Sequence, residues 1–186
     1  MIAQDEGFSV MRWLGDEDIK SLRPVQEVRI IRKIPKPRKE KIDIIARYPT
    51  DDKLLEKHLE EINRAYTYKC YTSTFVLCRK VLENLIIRIL RKKYPKNKEE
   101  HREKYFDFSR GRTLDFGVLL KNLRNSSKDF GPEKQLVERI CEKADKFKET
   151  ADEMTHSLYH IAAKREIDEK NFQHILDLIQ ELEKKI

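Results

Sequence analysis

Lys148, Asp152, His156 and His160 stand four residues apart in succession, a spacing that gathers side chains on one face of a helix. Imidazole titrates near neutral pH, so His156 is a candidate general acid or base, and Asp152 one turn earlier could orient it. Three of these groups are also metal-ligand types, yet a straight stripe on a rigid helix does not converge on one tetrahedral ion. No metal is therefore assigned, and no cofactor. Arg79 and Glu83 repeat the spacing of four in a segment whose other residues are mostly apolar. A charged pair there needs partners that offset its desolvation. Glu83 is expected to lie near His156 or Lys148 in a polar network between helices, structural before it is catalytic.

These residues need helices to position them, and the chain supplies the pattern. Four of its six prolines fall in the first 49 of 186 residues. Val25 to Ile34 and Lys41 to Tyr48 alternate β-branched and polar residues around a Pro-Lys-Pro-Arg-Lys spacer, which reads as an extended arm or a short hairpin over residues 1–49. From residue 50 to 186 the period is helical. Thr50 or Asp51 caps a helix bearing Leu54, Leu55, Leu59, Ile62 and Tyr66, and a second runs from Tyr71 to Tyr94. Unbroken, the two would form a rod about 66 Å long at ~1.5 Å per residue, so a turn is placed between Thr67 and Thr74. A polar lid over residues 96–112 follows. Thr113 caps a helix to Arg124, Pro132 opens one running to about His160, and the last spans roughly Asp168 to Lys185. The fold class is all-α, a bundle of four to five helices behind an N-terminal arm.

Charge is unevenly distributed. Residues 29–41 (Arg29, Arg32, Lys33, Lys36, Arg38, Lys39 and Lys41 against Glu40) carry +6, as do residues 88–112. The total of +7 leaves the remainder at −5. Such clustering suits a polyanion, since each phosphate neutralised by Lys or Arg releases a counterion. In the second cluster Arg91, Lys92, Lys93, Lys96, Arg102, Arg110 and Arg112 are interleaved with Tyr94, Tyr105, Phe106 and Phe108, and aromatic faces beside cations hold unpaired bases. RNA is thus favoured over DNA; an acidic protein partner would satisfy the same cations. The low Gly content and missing GxxxxGK exclude a Gly-cradled nucleotide site. Without a secretory start or a long apolar run, the chain reads as cytoplasmic, with no membrane contact. Cys70, Cys78 and Cys141 read as reduced core thiols.

The segment Cys78-Arg79-Lys80-Val81-Leu82-Glu83-Asn84-Leu85-Ile86, followed by Lys148-Glu149-Thr150-Ala151-Asp152-Glu153-Met154-Thr155-His156, resembles the HEPN superfamily of helical bundles. It is most similar to the prokaryotic branch found alone or fused to restriction-type defence enzymes. The resemblance covers about residues 50–186 and implies a homodimer paired through these helices. Ribonucleases of the superfamily place an Arg before the active His with four to six residues between them; here Glu149, Thr150 and Ala151 occupy that window before His156. Lys148 stands in register with the Arg of the non-nuclease branch, while Ala151 and Asp152 replace its Gly-Asn. The sequence is accordingly read as a non-catalytic HEPN-like module that binds nucleic acid, or a defence-system partner, through arm and lid. A metal-independent ribonuclease using His156, Asp152, Lys148 and Glu83 is the alternative, and a purely protein-binding, antitoxin-like or scaffold subunit is another. Tyr159 and His160, beside Leu158 and Ile161, are the expected dimer contact.

Overall fold

The computed structural model of the chain describes residues 41–157 and 159–186. It divides into two units, Met1–Glu40 and Lys41–Ile186. Within the second, the order is α1 (Lys53–Thr67), α2 (Tyr71–Lys93), α3 (Glu99–Arg102), β1 (Phe106–Asp107), β2 (Arg112–Thr113), α4 (Phe116–Asn125), a 3-10 turn (Ser127–Glu133), α5 (Lys134–His156), α6 (Lys164–Glu169) and α7 (Phe172–Lys185). The unit is an all-α bundle with one two-residue antiparallel ladder, Phe106 opposite Thr113. No helix among the described residues is long and apolar enough to cross a membrane.

Helix α2 is central because it is apolar on most of its circumference, burying Phe75, Cys78, Val81, Leu82, Leu85, Ile86, Ile87, Ile89 and Leu90. It packs on α1, α4, α5, α6 and α7. Phe147 of α5 stands 5.5 Å, ring to ring, from both Phe75 of α2 and Phe172 of α7, joining three helices at one point. The turn between α1 and α2 falls at Tyr68–Cys70, where Lys69 takes a positive φ of 62°.

Several boundaries differ from the sequence reading. Asp52, not Thr50 or Asp51, caps α1 by accepting from the N–H groups of Leu54 and Leu55 at 2.9 and 3.2 Å. Residues 41–48 form no strand; they lie on the bundle, with Ala46 and Tyr48 buried in its core. Buried Asn63 of α1 fixes them, its Oδ1 accepting from the N–H groups of Ile45 and Ala46 and its Nδ2 donating to the Ala46 carbonyl, all at 2.9–3.0 Å. Gln173 of α7 clasps Arg47 in the same way through that residue's N–H and carbonyl. Helix α4 begins after Asp115 rather than Thr113, which lies in β2. Helix α5 stops at His156, four residues short of His160. The expected last helix is two: Asp168 belongs to α6, and Asn171, left-handed at φ 44°, caps α7 through the His174 N–H. Cys78 and Cys141 are buried, and burial pushes the Cys141 thiol up to about 12; Cys70 is exposed.

Candidate functional site

Helices α2 and α5 bring together Arg79, Glu83, Lys148 and Asp152. Lys148 Nζ donates to Asp152 Oδ2 at 2.7 Å, one turn along α5. Across the helix interface Arg79 Nε lies 2.6 Å from Asp152 Oδ1. That contact is Coulombic, because the Nε–H does not point along a hydrogen-bond line and finds no acceptor. Arg79 also reaches Glu83 Oε2 at 3.8 Å and lies 5.8 Å from the ring centre of Phe116 at the start of α4. Gly117 next to it allows close approach: a Cβ there would come within 3.3 Å of Lys148 Cε. The four side chains are between 22% and 33% exposed, so water screens them only in part. Burial raises the Glu83 carboxyl above its ordinary range, Arg79 opposing and the Asp115 and Asp152 charges adding to the rise.

Glu83 therefore meets Arg79, not His156 or Lys148, and the centre of the cluster is Asp152. Its two oxygens face Arg79 and Lys148, and among the described residues no hydrogen bond or ion pair joins Asp152 to His156. His156 is exposed, the last residue of α5. The chain then leaves the helix through extended Ser157. His160 consequently departs from the expected stripe and its Nε2 pairs with Glu166 Oε1 at 3.0 Å near the start of α6. Tyr159 and Ile161 face solvent at 97% and 87% exposure. Leu158 lies outside the described residues.

The basic residues at the end of α2 and in the lid fall into distinct groups. Lys92 Nζ donates to the Glu183 carbonyl at 2.6 Å, tying α2 to the C-terminal end of α7. Arg88 beside it grips the Glu183 carboxylate with two bonds at 2.7 and 2.6 Å. Arg110 and Arg112 share Asp115, at 3.7 and 3.0 Å. Lys93 stacks on Phe130 and Arg91 on Tyr105. Tyr94 and Tyr105 are buried, which corrects the reading of Tyr94 as a base-stacking ring. The Tyr94 hydroxyl donates to Asp129, and burial, with that bond, pushes it up to about 12. Phe106 and Phe108 meet edge to face at 5.2 Å, and Phe108 is 41% exposed. The guanidinium of Arg102 lies over both rings, 5.5 and 4.7 Å from their centres. Lys96 is exposed on the same segment. Arg29, Arg32, Lys33, Lys36, Arg38 and Lys39 of the arm lie outside the described residues.

No family model, curated protein or solved structure matches this chain. Sequence reasoning missed Asp115, whose carboxylate meets Arg110 and Arg112, and Glu183, which holds Arg88 by its carboxylate and Lys92 by its backbone carbonyl. Asp115 had a local signal, an acidic residue directly before the apolar run of α4. Glu183 had none, since its partners Tyr48, Arg88 and Lys92 lie 91 or more positions away.

Proposed function

We propose that this chain is a non-catalytic HEPN-like module that binds single-stranded nucleic acid, RNA ahead of DNA, through its lid, and that it works as a homodimer. The observation that carries the reading is the Arg102, Phe106 and Phe108 platform. A guanidinium already stacked on two rings, one of them open to solvent, holds an unpaired base by stacking and its phosphate by charge. Lys96, Lys98 and Lys104 on the same segment supply further charge. The non-catalytic half of the reading rests on Asp152. It is held by Arg79 and Lys148, and among the described residues no carboxylate is paired with His156 to fix its tautomer. The half-buried quartet then serves to lock α2 to α5.

Fluorescence anisotropy with a 20-nucleotide single-stranded RNA, read over a salt series, tests this. Wild-type affinity should fall as salt rises. Phe108→Ala and Arg102→Ala should each weaken binding by the roughly 1–3 kcal/mol that one stacked base contributes. RNA recovered in EDTA should be intact. Cleavage that His156→Ala abolishes would overturn the non-catalytic reading, and salt-insensitive or absent binding would overturn the nucleic-acid one.

A further inference from the structure

On the face where α1 and α2 meet, a groove of about 370 Å³ runs between Asp52, Leu54 and His58 on one side and Lys80, Asn84, Arg88 and Arg91 on the other. Its floor is aliphatic: Leu55, Val81, Leu85 and Ile87. Leu54 stands at the rim 70% exposed, the most exposed apolar side chain on any described helix. Lys80, Arg88 and Arg91 follow one another at intervals of eight and three residues. They line one edge of α2 over about three turns, roughly 16 Å at 1.5 Å per residue. Arg88 shares its charge with Glu183, whereas Lys80 and Arg91 have no carboxylate within ion-pair distance among the described residues. Asn84 turns its amide back to the Lys80 carbonyl and is no competitor for a ligand.

We propose that this groove docks an acidic amphipathic helix of a partner protein. Its apolar face would cover Leu54 and the aliphatic floor, and its flanking carboxylates would meet Lys80 and Arg91. Two antiparallel helix walls with an apolar floor are a geometry that receives such a helix, and the cationic edge selects acidic flanks over basic ones. Other occupants fit less well. Of its lining residues only His58 carries a ring, so a single-stranded nucleic acid would find no row of rings on which to stack successive bases. A second copy of the chain, seated about a two-fold axis, would bring together two patches that each carry Lys80, Arg88 and Arg91 against the single carboxylate of Asp52. A small molecule lying on the floor would leave Leu54 in water. Leu54 and Lys80 lie outside the lid and separate this proposal from the RNA reading, whereas Arg91, stacked on Tyr105, borders both surfaces.

The test is selection by the full chain from a displayed library of 20-residue helical sequences, followed by anisotropy with the recovered peptides. Enriched peptides should carry Leu or Ile at helical spacing of three and four, flanked by Asp or Glu. Leu54→Asp and Lys80→Glu, both at exposed positions that leave the core intact, should each weaken them at least tenfold. Phe108→Ala should leave them unchanged, and Leu54→Asp should leave RNA binding unchanged. Enrichment of basic sequences, absence of any enrichment, or peptides indifferent to Leu54→Asp and Lys80→Glu would overturn the proposal. So would competition by RNA that Leu54→Asp relieves, which would make the groove a nucleic-acid surface.

Discussion

Asp152 takes Lys148 on one oxygen and Arg79 on the other, and this divides the labour within the quartet. With its main cations turned toward Asp152, Glu83 keeps only the longer contact to Arg79 at 3.8 Å. Its carboxyl is raised first by burial and then by the Asp115 and Asp152 charges. The unfolded chain lets this group ionise at an ordinary carboxylate pH, about 4.3. As pH rises through that value the unfolded state loses its proton first, so stability falls until the folded group ionises too, and it remains lower above. Glu83→Gln removes that loss at the expense of one long ion pair. The variant should match or exceed the parent at pH 7, by no more than about 1 kcal/mol, with the difference closing below pH 4. Urea melts at pH 3.5 and pH 7 measure it. A variant clearly less stable at pH 7 would mean that the Arg79 pair outweighs the burial of Glu83.

At the level of elements, the connection from α5 to α7 is held by few bonds. Glu166 accepts from the Ala163 N–H at 2.6 Å and from His160, and together these hold its carboxyl below the ordinary range. Ala163 has no side-chain acceptor, so only this half of a capping box starts α6. Glu166→Ala should therefore speed amide exchange severalfold from Ala162 to Ile167 and leave α2 unaffected, as hydrogen exchange read by NMR would show. The same connection marks where sequence stopped being readable. The apolar periods of α1, α4 and α5 gave those helices and their buried faces, because each buries one continuous stripe, and the long apolar run up to Pro95 gave α2, which is buried on most sides. The end of α5 was not readable: the chain turns away after His156 and returns to bury Ala162, whose N–H meets Thr72 Oγ1 90 positions earlier. Such a contact has no local signature. Likewise Arg79 and Glu83 were legible as a pair needing partners, but their meeting with Asp152 depends on how α2 crosses α5. Tyr94 looked like a binding ring from its cationic neighbours, and only the 3-10 turn carrying Asp129 and Phe130 shows why it is buried.

Over the whole helical unit, α2 sets the distance between the surfaces proposed for pairing and for binding. The loop holding Tyr159 and Ile161 is anchored at Thr72, near the first residue of α2, and the lid leaves from the last. Thr72 and Tyr94 are 22 residues apart, roughly 33 Å along the axis at 1.5 Å per residue. Two large apolar side chains at 97% and 87% exposure on one short loop form a patch that a second copy would cover. A dimer joined there would carry its two lids toward opposite ends, with the α1–α2 grooves in between. Each lid would then bind a short RNA alone, while a long RNA reaching both would gain from the tether. Tyr159→Glu places charge in the patch without touching the core. In sedimentation it should convert a dimer to a monomer; in anisotropy it should leave the affinity for a 10-nucleotide RNA unchanged and weaken a 60-nucleotide RNA at least tenfold. A parent chain that sediments as a monomer removes the second copy from this loop. Equal losses for short and long RNA would place Tyr159 in the RNA contact itself.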